Sequence, residues 1–406
     1  MGRHRAATSD TRPHRRRRWP LAALTAVVLV VAGWFGWSWL HGQLSHSATP
    51  NVAACPAGPE TVQVAVVPSM ADVIGRAAAA YTESRPVVND RCVRVNVSAV
   101  DPQAVLSALE HGWDAAKLGP RPQAWIADST LRTNELASAA AGVIGDTPQS
   151  LAASPVVLAM PPDAAKAVTS AGAPMFAALP ALVAKANGWA TFNEPAWGQF
   201  TLALPSPAAN TASALAAIAM LDPATPQGQA PVTADLLNSP PVKQNLVNLA
   251  LGQPASTANT THDTLLALGR ADGIHAAPFS AVPVTELDLY QRNVGADGSA
   301  KPVNVLDEVR LGGPTPYVDF PFTPLAGNGV HADQVAAAEH FRDFLRTPAE
   351  QAQFARSGLR VASSFAHPAP SPGMDWGSAS QGPTPVDVGS YQQLVTAWQA
   401  AGQPSR

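Results

Sequence analysis

Apolar positions fall into two alternating periods along this chain. Residues 61–67 (TVQVAVV), 93–100 (VRVNVSAV), 124–127 (AWIA) and 155–160 (PVVLAM) are short alternating or continuous apolar runs, the pattern of half-buried or buried strands. Between them the period lengthens to that of a helix. Over 71–84 it sets Val73, Ile74, Ala77, Ala78 and Tyr81 on one face, and after Asp101 it sets Val105, Leu106 and Leu109 together. Asp101 reads as an N-cap with Pro102 at the first helical position, and Ser69 with Asp72 reads as a capping box. The second half continues the alternation. Residues 199–204, 273–277 and 281–284 read as strands. Residues 211–221, 241–251, 262–270 and 331–346 read as helices, the last with Val335, Ala338, Phe341, Phe344 and Leu345 inward. Thr347 and Glu350 suggest a second capping box, and Gly358 a helix end. Past residue 363 the chain turns rich in Pro, Ser and Gly, an expected extended tail in which 389–401 regain a short helical pattern. Strands alternating with helices predict an α/β fold with a largely parallel sheet, and no repeat of fixed period interrupts it.

The first forty residues break the pattern. Residues 1–20 are basic and polar, and residues 21–40 (LAALTAVVLVVAGWFGWSWL) carry no charge. Twenty helical residues span roughly 30 Å, the thickness of a bilayer core. Arg15–Arg18 directly before the span place the N-terminus in the cytoplasm, and Trp19 at one end with Trp34, Trp37 and Trp39 at the other resemble two aromatic belts. The rival reading is a cleaved signal peptide, but that needs a shorter apolar region and an A-x-A-like site, where this chain has Ser45-His46-Ser47. The expectation is a single-pass anchor over 21–40, a linker over 41–60 and an extracytoplasmic remainder. Cys55 and Cys92 would then lie in an oxidising compartment and pair; two free buried thiols are the alternative.

Composition narrows the function classes. Of 406 residues, 46% are apolar and only 14% charged, which excludes a disordered polyelectrolyte or a coiled coil. The net charge of −3 divides unevenly: residues 1–20 hold seven Arg and one Asp, so the rest carries −9. That acidic remainder speaks against a nucleic-acid partner. The chain contains no G-x-S-x-G, H-E-x-x-H, P-loop or G-x-G-x-x-G motif, so no catalytic constellation and no cofactor is indicated. His262-Asp263 and His275 are the one pair worth checking for a metal, although a lone His at a helix start is more often a cap or surface residue.

The strand-to-helix turns, in contrast, are rich in hydroxyls and amides: Pro68-Ser69-Met70, Asp128-Ser129-Thr130, Ser154-Pro155, Pro207–Ser213 (PAANTAS) and Val284-Thr285-Glu286. Ligands of open α/β sheets bind beyond the carboxyl ends of the strands, where helix N-termini offer free N–H groups. Each hydroxyl taken singly is better read as a helix cap; the set points to a pocket.

The order of segments resembles actinobacterial extracellular substrate-binding proteins of the type 2 periplasmic-binding-protein fold. The resemblance covers about residues 60–362 and is carried by VAVVPSMADVIGRAAAAY, RCVRVNVSAVD, PQAWIADST, ASPVVLAMP, EPAWGQFTLALPSPAANTASAL, AVPVTELDLYQRN, YVDFPFTPL and AAAEHFRDFLRTPAEQAQFARSGLR. Cys55 before the first strand and Cys92 before the second also match. Similar proteins carry a von Willebrand factor A-type domain after this module. Its D-x-S-x-S metal run is missing here, so no metal-dependent adhesion role is carried over, and the expectation is a tethered binding module alone.

The resemblance implies two lobes joined by two crossovers, with lobe one at 61–155 and 281–362, lobe two at 156–280, and crossovers near Ser154-Pro155 and Phe279-Ser280. Ser69, Ser129, Asn210, Thr211, Ser213 and Thr285 are expected to line the cleft between them. Such a pocket suits a neutral polar solute, or an oxyanion held by helix N-termini. Among the cleft-facing turns only Arg132 supplies a cation, and Glu286 is the nearby carboxylate, better read as a first-turn residue that complements the helix dipole. The expected function is solute binding outside the membrane for an ABC-type transporter; the alternative is a cell-envelope interaction or scaffold protein on the same fold. No enzyme is expected.

Overall fold

The computed structural model describes residues 55–221, 233–327, 329–362, 367–377 and 388–401. The expected cytoplasmic tail, the anchor over 21–40 and most of the linker lie outside the described residues. Among the described residues no helix is long and apolar enough to cross a membrane.

Residues 57–406 cluster as one unit built on a mixed sheet. Its strands are β1 (Pro59–Val66), β2 (Val87–Val88), β3 (Arg91–Ala99), β4 (Ala124–Ile126), β5 (Gln149–Met160), β6 (Val282–Thr285), β7 (Asp307–Val309) and β8 (Tyr317–Pro324). Their order is β2-β3-β1-β4-β8-β5-β6, with β7 also on β5. Only β1–β3 and β1–β4 pair in parallel. The remaining pairings are antiparallel, so the expected largely parallel sheet is corrected to a mixed one.

The helices are α1 (Ala71–Glu83), α2 (Pro102–His111), α3 (Ala115–Leu118), α4 (Thr130–Ala140), α5 (Pro162–Ala171), α6 (Leu179–Val183), α7 (Thr211–Leu221), α8 (Ala234–Asn238), α9 (Pro240–Leu251), α10 (Thr261–Gly269), α11 (Glu286–Val294), α12 (Ala332–Leu345), α13 (Pro348–Arg356) and α14 (Val388–Ala401). The α1 face read from periodicity is the buried one, with Val73, Ile74, Ala77, Ala78 and Tyr81 all in the core. On α12, Ala338, Phe341 and Leu345 are buried while Val335 and Phe344 are only partly covered. Asp101 caps α2 by accepting from Ala104 N at 2.9 Å. The two expected capping boxes do not form. Ser69 sits inside a 3-10 turn (Pro68–Met70) that runs into α1, and neither Met70 nor Thr347 makes a side-chain cap.

Two expected strands are absent for local reasons. Residues 199–204 make a single bridge, Leu202 to Ala281, because the next rung of that ladder would need N–H groups from Pro205 and Pro283, and neither has one. Residues 273–277 form turns instead, since Gly273 adopts a left-handed φ of 78° and Asp163 captures the Ile274 amide at 2.9 Å. Sequence reading passed over β8, whose Pro321 lacks a ladder N–H. Its carbonyl accepts from Ala127 N, just past the end of β4, so the missing N–H falls on the β4 side, where that strand has already ended.

Strand β5 sets the architecture. From Gln149 to Pro155 it pairs with β8, and from Val156 onward it pairs with β6 and β7. One continuous strand therefore belongs first to the sheet section of β1–β4 and then to the section of β6 and β7. No change of section falls at Phe279-Ser280, because β6 directly afterwards pairs with the second half of β5; the chain returns to the first section at β8. This gives a two-lobed α/β arrangement.

Both cysteines are disulfide-bonded, Cys55 to Cys92. The bridge ties a residue four positions ahead of β1 to the second residue of β3. Replacing Cys92 with Ser is expected to lower unfolding stability by about 2–4 kcal/mol, through a less constrained unfolded chain. Urea denaturation with and without reductant checks this: the wild type under reductant should fall to the variant's midpoint.

Candidate functional site

Where the two sheet sections meet, a cavity of about 480 Å³ opens. The turn after β1 supplies Pro68, Ser69 and Asp72. The opposite wall is Thr261, His262 and Leu265 of α10, with Asp288, Gln291, Ala296, Asp297 and Gly298 from α11 and the loop after it. The wall is thus made by the start of the first section and by two helices of the second. Gln291 joins them directly, its Nε2 donating to the Ser69 carbonyl at 2.6 Å.

The lining is held by residues one layer back. Thr285 caps α11, its Oγ1 accepting from Asp288 N at 3.0 Å and donating to Asp288 Oδ2 at 2.7 Å. Asn210 caps α7 by accepting from Ser213 N at 2.8 Å, and its Nδ2 donates to the Thr261 hydroxyl. Thr211 donates to Asp128 Oδ2 at 2.5 Å, a bond between the helix start of one section and the β4 turn of the other.

The six residues expected to line a pocket are therefore distributed as follows. Ser69 is on the cavity wall. Asn210 and Thr285 position the wall residues Thr261 and Asp288. Thr211 holds Asp128. Ser129 caps α4, accepting from Leu131 N at 3.1 Å, with Asp319 Oδ1 3.4 Å away. Ser213 is fully buried, and its hydroxyl makes no hydrogen bond.

The charge of the site is acidic. Asp72, Asp288 and Asp297 line the cavity, and no lining side chain is a Lys or Arg. Asp297 is paired with Arg292 at 2.7 Å, whereas the hydrogen bonds of the Asp288 side chain go to Thr285. Burial pushes the Asp288 carboxyl up to about 6, against the lowering hydrogen bond from Thr285, and the nearby charge of Asp128 raises it further. Asp128 is itself raised by burial, partly offset by Arg132 and the Thr211 bond. A raised carboxyl binds its proton more tightly in the folded state. The stability linked to Asp288 is thus fully present below the ordinary range near pH ~4 and is lost as pH rises through about 6.

Arg132, expected to face the cleft, is buried instead. It donates to Glu135 at 2.9 Å, to the Tyr391 hydroxyl at 3.0 Å and to the Ala208 carbonyl at 3.0 Å. Burial pulls its pKa down, but the charges of Asp128, Tyr391 and Glu135 more than offset that, and the net shift is upward. Glu286 does open α11 as read, but it points into the protein, onto Arg310 and Arg360. His262 lies on the cavity wall, 3.5 Å from Asp297, and His275 packs edge-on against Trp197; among the described residues no group of three or more metal-binding side chains assembles.

Sequence reasoning missed Thr261, Asp288, Gln291 and Asp297. The run Thr260-Thr261-His262-Asp263 at a helix start carried a signal of the same kind as the turns that were noticed. Asp288, three residues past the Thr285 cap, looks from sequence like an ordinary first-turn carboxylate.

Residues 62–360 match the family of bacterial extracellular solute-binding proteins. Two uncharacterized proteins from strains of Mycobacterium tuberculosis are 33% identical over 345 residues, 84% of this chain and 48% of theirs, so the chain spans about half the length of these curated relatives. Among solved structures, iron-bound HitA from Pseudomonas aeruginosa superposes with a TM-score of 0.55 at 14% identity, covering 85% of this chain and 100% of that one. AfuA from Actinobacillus pleuropneumoniae, with fructose-6-phosphate bound, gives 0.54 at 11% identity, covering 85% and 98%. At such identities these structures establish the fold. By the extent of its match over residues 62–360, the chain belongs to the bacterial extracellular solute-binding protein family.

Proposed function

We propose that this protein is a membrane-tethered solute receptor that closes its two lobes on a small neutral polar or cationic molecule and serves an ABC-type transporter. The uncharged span 21–40 behind Arg15–Arg18 supports the tether, with the N-terminus cytoplasmic and the binding module outside. Lobe one then comprises β1–β4 with the first half of β5, β8 and the helices after it. Lobe two comprises the second half of β5 through β7, so that β5 and β8 are the crossovers.

The observation that carries the ligand class is the cavity lining. A volume of about 480 Å³ matches a small solute. Ser69, Thr261 and Gln291 offer hydrogen-bonding groups, and the three carboxylates disfavour an oxyanion. A cation gains from Asp288 as that residue ionises.

Thermal-shift and calorimetric titration of the full chain with sugars and polyols, with amines and basic amino acids, and with sulfate and phosphate tests this reading. At one hundred times its dissociation constant a cognate solute adds about 2.7 kcal/mol. Stabilisation by a neutral or cationic solute is expected, and a cation should bind more tightly above pH 6 than below it. Stabilisation by sulfate or phosphate alone overturns the assignment.

A further inference from the structure

We infer that two segments beyond the family module, 367–377 and 388–401, act as straps that tie the two lobes together and restrain their opening. The family match ends at residue 360, yet two later segments, 367–377 and 388–401, pack back onto the module, each touching both lobes.

The first contact is made by α14. Its Tyr391 is 2% exposed. The Tyr391 hydroxyl accepts from Arg132 Nη1 of lobe one at 3.0 Å and donates to the Pro207 carbonyl of lobe two at 3.0 Å, with the Ala208 carbonyl 3.2 Å away. The guanidinium lies 5.6 Å from the centre of the Tyr391 ring. The same helix packs on α4 of lobe one and on α8 and α9 of lobe two.

The second contact is made by residues 367–377. The Gly377 carbonyl accepts from Arg360, which bridges to Ala153 of lobe one, and from Arg310, which follows β7 of lobe two. Trp376 packs against Tyr290 of α11 at 5.6 Å and stacks with His367 at 5.2 Å, with the Arg360 guanidinium 5.8 Å from its ring. The Pro372 carbonyl accepts from Asn293 Nδ2 at 3.0 Å, and the Gly373 carbonyl accepts from Glu308 N at 2.8 Å. Gly373 has a left-handed φ of 72°, and a Cβ there would strike the Leu306 carbonyl oxygen and lie 2.8 Å from Val305 Cγ1. Only glycine lets the strap lie this close.

Rotating the lobes apart about β5 and β8 separates Arg132 from Pro207 and Ala208, so the Tyr391 hydroxyl cannot keep both partners. The strap therefore favours the closed arrangement, and the cleft opens at the expense of its contacts. The device needs no ligand and is independent of which solute the cavity takes.

The test is a distance measurement on the full chain in detergent, with spin labels at Glu83→Cys in lobe one and Lys185→Cys in lobe two, both exposed positions. The native cysteines are disulfide-bonded and remain unlabelled. Three backgrounds are compared: unmodified, Tyr391→Phe, and Gly373→Ala with Tyr391→Phe. The expected result is that Tyr391→Phe raises the ratio of long to short distances about fivefold, the factor that corresponds to about 1 kcal/mol for one lost net hydrogen bond, and that Gly373→Ala raises it further. Tyr391→Phe keeps the ring and its packing and so guards against simple misfolding; circular dichroism confirms that each variant is folded. An unchanged distance distribution in the folded double variant overturns the strap.

Discussion

Replacing Glu286 with Ala is expected to cost about 3–5 kcal/mol of unfolding stability, because it strands two guanidinium groups that nothing else nearby neutralises fully. Glu286 is fully buried at the start of α11. Its carboxylate accepts from Arg360 Nε at 2.8 Å and Arg360 Nη2 at 2.7 Å, and also from Arg310. Arg310 further pairs with Glu308 at 2.7 Å. Burial, then the charge of Glu286, pushes the Glu308 carboxyl up to about 7. The folded protein therefore holds the Glu308 proton more tightly than the unfolded chain. The stability linked to Glu308 is present below the ordinary value near pH ~4.3 and is lost as pH rises through about 7. Removing Glu286 takes away the second cause of the shift but leaves burial, so in the variant this part of the pH dependence should weaken and move to lower pH while its overall stability falls. Urea midpoints at pH 5 and pH 8 read both effects; a variant within 1 kcal/mol of the wild type at both would contradict the account.

Trp189→Ala should cost about 4–5 kcal/mol, the upper part of the range for deleting a large aromatic from a packed core. Trp189 is 1% exposed and edge-packed on Trp197 at 4.8 Å and Phe192 at 5.6 Å, with Phe200 tilted against it at 5.1 Å. Its Nε1 donates to Ser280 Oγ at 3.1 Å, and that oxygen accepts in turn from Thr201 N at 3.0 Å. Truncation leaves a cavity and deprives the Ser280 hydroxyl of a buried partner. These residues do not line the cavity. Stability should fall without a matching change in solute affinity, measured on the same preparation by denaturation and titration.

What was legible in the sequence was whatever local pattern decides. The alternation at 93–100, the α1 face and the Asp101-Pro102 helix start all depend on neighbours a few residues apart, and each is present in the structure. The failures share the opposite cause. Residues 199–204 have a strand's composition, but their partner strand, some eighty residues away, offers Pro283 where the ladder would continue, and Pro205 ends it on the near side. β8 carries prolines that local rules count against a strand, and Pro321 is tolerated because it falls opposite Ala127, just past the end of β4. The tail looked extended because its composition is poor in apolar residues, yet Tyr391 and Leu394 are buried against distant elements. The site divides in the same way. Hydroxyl-rich helix starts were visible, and most of them proved to be caps that aim other residues. The carboxylates that give the cavity its charge were indistinguishable in sequence from routine helix-end acids.

The placement of β8 also governs the order in which the molecule can be completed. β4 ends at Ile126 and pairs on one side with β1, which precedes it, and on the other with β8, whose Phe322 lies opposite Ile126. Every element from α4 through β7 is synthesised between those two strands. Closing so distant a pairing makes folding slow relative to a chain of local contacts. Until residues 317–324 arrive, β4 presents an unpaired hydrophobic edge, the kind that recruits strands from other chains. A molecule exported to the far side of a membrane meets that interval outside the cytoplasm, so its yield should depend on how quickly the chain between β4 and β8 emerges and folds, and on any envelope chaperone that covers the β4 edge meanwhile.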